Sequence, residues 1–181
     1  MSADVVFFHG AGTGAYAEDA ELAGSLARHL GNDFSIDFPR LPENDPGGWP
    51  WLQAIAEAIA RASAPVVLVG HSVGGYLLLK FLAMQHVTTS IAAICIIAAP
   101  FPGGDPAWTF DGFDLPDDVG RLLPADARVL LYASEDDKTV PFAHRDLYAA
   151  RIPRAITRTT SGGHQLGNDL QVVADDIRAL W

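Results

Sequence analysis

The run Val66-Val67-Leu68-Val69 passes straight into Gly70-His71-Ser72-Val73-Gly74-Gly75, and this junction restricts the fold more than any other stretch. Four consecutive aliphatic residues, three of them β-branched, read as a strand buried on both faces, the mark of a central strand in a parallel sheet. A segment of helical character, residues 76–85, follows at once. Strand and helix must therefore join through a very sharp turn. A Cβ two positions before or after the serine would collide where the two elements approach, and Gly70 and Gly74 meet that need. Such a turn lifts the Ser72 hydroxyl above the sheet edge and aims the N–H of Val73 at the same point in space. A Gly-Ser turn that merely packs tightly would use the same residues without any chemistry.

The rest of the chain alternates in the same way. Strands are expected at 5–8, 34–38, 66–69, 91–98, 128–133 and 155–159, with helices at 18–30, 51–62, 76–85, 142–151 and 165–181. Helix 18–30 carries Leu22, Leu26 and Leu30 on one face and stops at Gly31; helix 165–181 turns Val172, Val173, Ile177 and Leu180 inward. Six strands separated by helices, with unbroken apolar runs in the middle ones, predict an α/β fold. It is a three-layer α/β/α sandwich around an about six-stranded, mostly parallel sheet, in one domain over residues 1–181. Functional groups in such sheets collect at the carboxyl ends of the strands, in the crevice where strand order reverses.

Composition narrows the partners. Twelve Lys and Arg against 22 Asp and Glu give a net charge of −10, a surface that repels phosphate backbones and anionic lipid. Neither nucleic acid nor a membrane is expected as a partner. The lone cysteine, Cys95, lies in an apolar run and reads as an inert buried thiol, with no disulfide possible within the chain. Met1-Ser2-Ala3-Asp4 lacks the basic start of a signal peptide, and no apolar run has the length of a membrane span, so a cytoplasmic location is expected.

A serine hydroxyl needs a base within hydrogen-bond reach, and the base needs a group that fixes its tautomer. His164 follows the last strand in the Gly-rich segment Thr160-Ser161-Gly162-Gly163-His164-Gln165, which could carry an imidazole over the sheet edge. His29, His86 and His144 lie on helices or their ends, and His71 should point away from the serine and pack. Glu135, Asp136 and Asp137 all follow the strand at 128–133, so each is a candidate acid. An oxyanion needs two fixed N–H donors. Val73 would supply one, and the loop Phe8-His9-Gly10-Ala11-Gly12 after the first strand would supply the other. A ring hydrogen bond from His9 would support that loop. The same loop also fits a dinucleotide fingerprint over residues 10–15. Asp37, its required acid, comes about 27 residues after Gly10, where the fingerprint wants about 20, and the reading leaves Ser72 and His164 unexplained.

Together these residues resemble the α/β-hydrolase superfamily over essentially the whole chain, and within it the small, cap-poor serine hydrolases of the retinoblastoma-binding-protein-9-like group. Residues 134–141 resemble the D-x-x-V-P turn of serine hydrolases, whose acid lies four residues before the proline; this selects Asp137 over Asp136. The His-Gly-x-Gly sequence at 9–12 is similar to that of lipases and esterases and selects Ala11 as the second donor. The resemblance implies a minimal α/β-hydrolase fold lacking the two N-terminal strands, and an acyl-enzyme mechanism using Ser72, His164 and Asp137 with the backbone N–H groups of Ala11 and Val73. It calls for no cofactor and no metal. Lys138 departs from the pattern, standing where a proline often follows the acid.

Between the fourth and fifth strands only residues 101–127 remain, a short lid-like region with Trp108, Phe110, Phe113 and Leu115 interleaved with Asp105, Asp111, Asp114, Asp117 and Asp118. With His9, the residues Trp108, Phe110 and Phe113 are candidates for an acyl pocket; the same aromatics could instead pin a surface loop to the core. Trp49 and Trp51 could form the opposite wall or simply pack the start of a helix. A chain this small has room for a shallow cleft, which favours small or medium acyl esters as the small-molecule partner. Thioesters, amides, and a binding protein on an inactive hydrolase scaffold are the alternatives.

Overall fold

The computed structural model describes residues 3–44, 49–109 and 111–181. Six strands, β1 (Ala3–Phe8), β2 (Phe34–Asp37), β3 (Val66–His71), β4 (Ile91–Ile97), β5 (Arg128–Ser134) and β6 (Ile156–Thr160), form one sheet in the order β2-β1-β3-β4-β5-β6. Every neighbouring pair is parallel. The α-helices are α1 (Ala15–Leu30), α2 (Trp49–Arg61), α3 (Ser72–Met84), α4 (Val119–Leu122), α5 (Ala143–Arg151) and α6 (Gln171–Arg178), with short 3-10 turns at Gly31–Asp33, Pro106–Trp108 and Leu166–Asn168. The expected three-layer α/β sandwich is the observed one.

Alternation along the strands builds two cores, one on each face of the sheet. Val5 and Phe7, Val67 and Val69, Cys95 and Ile97, Leu130 and Tyr132 point to the face covered by α1 and α6. Val6 and Phe8, Leu68, Ile94 and Ile96, Val129 and Leu131 point to the other, under α2, α3 and Tyr148 of α5. Full burial of each such side chain contributes about 1.5–3 kcal/mol, so a strand buried on both faces is held far more firmly than an edge strand. β3 is buried at every position, whereas the edge strand β6 alternates between exposed and half-buried residues. Burial pushes the Cys95 thiol up to about 12, which leaves it unreactive near neutrality. Among the described residues no helix is long and apolar enough to cross a membrane.

The chain leaves β1 toward β2 on one side and returns to β3 on the other, so the topological switch point lies between the carboxyl ends of β1 and β3. That crevice receives the loop with Ala11 and the turn with Ser72.

Three helices depart most from the sequence expectation. Helix α3 begins on Ser72 itself rather than at residue 76, and α1 starts at Ala15 rather than 18. The helix expected over 165–181 is only the eight residues of α6. The stretch before it is a run of left-handed turns, with positive φ at Gly162, Gly163, Leu166, Gly167 and Asn168, which no α-helix can absorb. Asp169 then accepts the N–H of Gln171 at 3.0 Å, and α6 begins.

Candidate active site

Ser72 occupies the turn from β3 into α3 at φ 52, a left-handed conformation that a non-glycine residue adopts at a cost of about 1–3 kcal/mol. The glycines around it explain how so tight a turn closes. A Cβ on Gly70 would lie 2.6 Å from the Cα of Gly75, as the strand-to-helix approach predicted. Gly74 meets a different neighbour from the one expected: its Cβ would lie 2.2 Å from the carbonyl oxygen of His9 and 2.7 Å from that of Phe8. Gly74 therefore lets α3 approach the end of β1, and Gly75 is the residue that opposes Gly70.

The loops after β3, β5 and β6 bring Ser72, Asp137 and His164 into one chain of hydrogen bonds. Ser72 Oγ lies 3.0 Å from His164 Nε2, and His164 Nδ1 lies 2.8 Å from Asp137 Oδ2. A carboxylate only accepts, so Nδ1 carries the proton and Nε2 is left to accept from the serine hydroxyl. The Asp137 side chain is buried, 1 % exposed. Burial alone would raise its pKa; the bond from His164 and the N–H groups of Val140 (2.9 Å) and Thr139 (2.7 Å) to Oδ1 hold it below the usual carboxylate value instead. Asp136, the alternative acid, faces the other way and accepts the N–H groups of Gly163 at 3.0 Å and Gly162 at 3.3 Å. Those bonds, the first above all, depress its pKa. It ties down the loop that carries His164.

The two N–H groups expected as oxyanion donors are set apart by what their neighbours already bind. Helix α3 starts at Ser72, so the Val73 N–H belongs to the first turn, whose amides have no acceptor within the helix. In the loop after β1, Gly10 donates to Asp19 Oδ2 at 2.7 Å and Gly12 to the carbonyl of Glu43 at 2.7 Å. Ala11, between them, makes no hydrogen bond among the described residues. The dinucleotide reading fails at the same place. The Gly10 amide that a pyrophosphate would need is bound to the protein's own buried carboxylate, and Asp37 is exposed beside Arg61 at 3.3 Å.

His9 is not a pocket residue. It is fully buried, its Nδ1 donates to the Gly10 carbonyl at 2.7 Å, and its Nε2 accepts from Leu41 N at 2.8 Å. Burial first of all lowers its pKa, so it remains neutral and braces the loop, packed edge-on against Tyr16, Phe38 and Trp51. Trp51 is likewise core, with no exposure, while Trp49 is exposed.

Phe113 is buried against the Tyr76 ring at 4.1 Å, and Trp108 packs near it at 5.9 Å. Lys80 and Tyr76 of α3 hold this segment through Gly112 O and the backbone of Asp114. A cavity of about 420 Å³ opens beside Phe113, between Phe101, Leu115, Val119 and Arg151, but neither Ser72 nor His164 lines it. The aromatics at 108 and 113 thus pin the segment to the core, and among the described residues this cavity does not reach Ser72. Phe110 lies outside the described residues.

His71 is buried as expected, but it does more than pack: its ring meets Asp19 at 2.8 Å and the carbonyl of His164 at 3.0 Å. Sequence reading passed over Asp19 altogether. Its signal was its place on the apolar stripe of α1, in step with Ala15, Leu22, Leu26 and Leu30, where a carboxylate must find partners.

The comparisons agree with this geometry at the level of the fold. The model of the alpha/beta hydrolase family matches residues 5–170. The ydeN gene product from B. subtilis is 20 % identical with a TM-score of 0.70, over 99 % of this chain and 98 % of that one. The esterase domain of a Rhodothermus marinus protein is 18 % identical with a TM-score of 0.66, over 98 % of this chain and 85 % of that one. Est1E from Butyrivibrio proteoclasticus is 15 % identical with a TM-score of 0.68, over 98 % and 86 %. A search of the curated proteins gives no match. With the matched model spanning most of its length, the chain belongs to the alpha/beta hydrolase family.

Proposed function

We propose that this protein is a serine hydrolase that cleaves esters of small or medium acyl groups through an acyl-enzyme. The observation that carries the reading is the continuous chain from Ser72 Oγ through His164 to Asp137, at 3.0 Å and 2.8 Å. In the first step His164 Nε2 takes the proton of Ser72 as Oγ attacks the acyl carbon. The carbonyl oxygen becomes an oxyanion facing the N–H groups of Ala11 and Val73. Asp137 stabilises the imidazolium, which then gives its proton to the leaving alkoxide. Water, activated by the same histidine, hydrolyses the acyl-serine and regenerates the enzyme. Such fixed donors and the triad supply different parts of the acceleration; loss of one oxyanion donor alone costs on the order of 10²–10³ in kcat.

Support for an ester over other acyl substrates comes from the neighbour whose title names an esterase domain, and the connection between β4 and β5 is short. The finer kinship with the retinoblastoma-binding-protein-9-like group rests on chain length and this short connection. The short connection favours small and medium acyl groups. A panel of p-nitrophenyl esters from acetate to dodecanoate tests this: kcat/KM should peak at short or medium length and vanish in Ser72→Ala. Activity that climbs steadily to the longest chain, or that survives the substitution, contradicts the reading.

A further inference from the structure

Two buried groups beside the site have no part in that proton path. Asp19 and His71 are each 1 % exposed, and Asp19 Oδ2 lies 2.8 Å from His71 Nδ1. The other ring nitrogen of His71 faces the main-chain carbonyl of His164 at 3.0 Å. A carboxylate and a carbonyl can only accept, so the ring satisfies both contacts only when both nitrogens carry protons. A neutral ring, in either tautomer, would press a lone pair against a buried acceptor. His71 is thus an imidazolium whose counter-ion is Asp19.

The carboxylate does more than balance this charge. Its Oδ2 also accepts the Gly10 N–H at 2.7 Å, and its Oδ1 accepts Gln165 Nε2 at 3.0 Å. One side chain of α1 therefore gathers donors from the loop after β1, the turn after β3 and the loop after β6. Those are the segments that carry Ala11, Ser72 and His164. The junction has no slack: a Cβ on Gly10 would lie 3.1 Å from Ser72 Cβ, 3.6 Å from Asp19 Oδ2 and 3.7 Å from His71 Nδ1. Electrostatics agree. Burial by itself would drive the His71 proton off, yet the charge and hydrogen bond of Asp19, the His164 carbonyl and the charge of Asp137 raise its pKa above the ordinary 6.5. Burial would likewise raise Asp19, but His71, Gly10 and Gln165 hold it below the ordinary value. The groups facing His71 are Asp19 from α1, Asp137 from the turn after β5, and the carbonyl and ring of His164, whose ring centroid lies 4.8 Å away.

We propose that Asp19 and His71 are positioning residues, a buried ion pair that locks the backbone of His164 and the Gly10–Ala11 loop onto the turn bearing Ser72. Its effect on rate rests on the hydrolase reading above; the ion pair itself does not. Neither residue touches the acyl group, so the pair acts through the base and the oxyanion loop.

Ring spectra of protein labelled with 15N-histidine test this on the native chain. At pH 6.5 His71 should carry both ring protons and release one only as the pH rises above that value. Asp19→Asn, checked for a cooperative thermal transition, should reduce His71 to a single ring proton and displace the ring signals of His164. The same variant should lower kcat about 10- to 100-fold with little change in KM, the pattern of a misaligned rather than an unbound site. A singly protonated His71 in the native protein overturns the ion pair without recourse to any variant. A folded Asp19→Asn protein with unmoved His164 signals or unchanged kcat overturns the positioning role. If a fluorophosphonate fails to label Ser72 in the native protein, the hydrolase reading falls by itself, and the His71 and His164 spectra still decide the proposal.

Discussion

His164 and His144 are both paired with an aspartate, at 2.8 Å to Asp137 and 2.9 Å to Asp105, yet the two pairs do opposite things. The difference is what the second ring nitrogen meets. In His164 it faces the Ser72 hydroxyl, a donor that can surrender its proton. In His144 the Phe101 backbone N–H occupies it at 2.8 Å, and an amide proton cannot be removed. His144 is buried in α5, 1 % exposed, and fastens residues 101–105 to that helix. A His–Asp pair is therefore structural or chemical according to its third partner, and the imidazole is the more buried one in the structural case, 2 % exposed against 17 % for His164.

The largest effects expected from breaking this contrast fall on the Ser72 pair. Ser72→Ala should reduce kcat by roughly 10⁶, with His164→Ala close behind because the two act as a unit and their losses do not add. Steady-state ester hydrolysis with active-site titration measures both. Asp137→Asn should cost on the order of 10⁴, since an amide can favour the wrong tautomer of His164. Asp136→Asn keeps an oxygen for the Gly163 amide, loses only the longer bond from the Gly162 amide, and should cost less than about tenfold. The reverse ranking would move the acid to Asp136.

At the other pair the readout is stability. His144→Ala leaves the Phe101 N–H buried without its acceptor, for a loss of about 2 kcal/mol and a few degrees in Tm. Fluorophosphonate labelling of Ser72 should proceed at the native rate. Slowed labelling in a folded His144→Ala protein would show that residues 101–105 shape the site after all.

The smallest expected effect is a pH dependence. Asp19 is held below 3.8 in the folded state, so its stabilisation is present above that value and lost as the pH falls through its folded pKa. His71 is raised above 6.5, so its contribution is complete below 6.5 and lost as the pH climbs through its folded pKa. The stability of the native protein over Asp19→Asn should therefore be greatest between about pH 4 and 6.5 and shrink on the alkaline side. His9, lowered by burial, is common to both proteins and cancels in the difference. Chemical denaturation at pH 5.5 and 8.5 gives the two values; an equal difference at both would contradict the sign.

How much of this was legible in the sequence depended on the range of the interactions. The central strands declare themselves because both faces are buried, and the runs at 66–69 and 91–97 need nothing from the rest of the chain. Ser72, Asp137 and His164, which the structure joins in one chain of hydrogen bonds, also stand out, because each follows a strand in a short local pattern. The last helix was overextended because hydrophobic spacing is blind to the left-handed turns at 162–168. Asp19 hid for a different reason. Among Glu18 and Glu21 it looks like part of a solvated acidic face, while its partners His71 and Gln165 are 52 and 146 residues away. Trp108 and Phe113 left two readings open, since an aromatic that anchors a loop and one that lines a pocket have the same sequence signature.

The central claim, that Ser72 is an activated nucleophile and His144–Asp105 is not part of any reactive site, has one direct measurement. A fluorophosphonate is incubated with the native protein, Ser72→Ala, His164→Ala and His144→Ala, and the adduct is located by mass spectrometry. The account predicts a single adduct on Ser72 in the native protein and in His144→Ala, none in Ser72→Ala, and labelling slowed by orders of magnitude in His164→Ala. An adduct on another residue, no adduct on the native protein, or equal labelling in His164→Ala would contradict it.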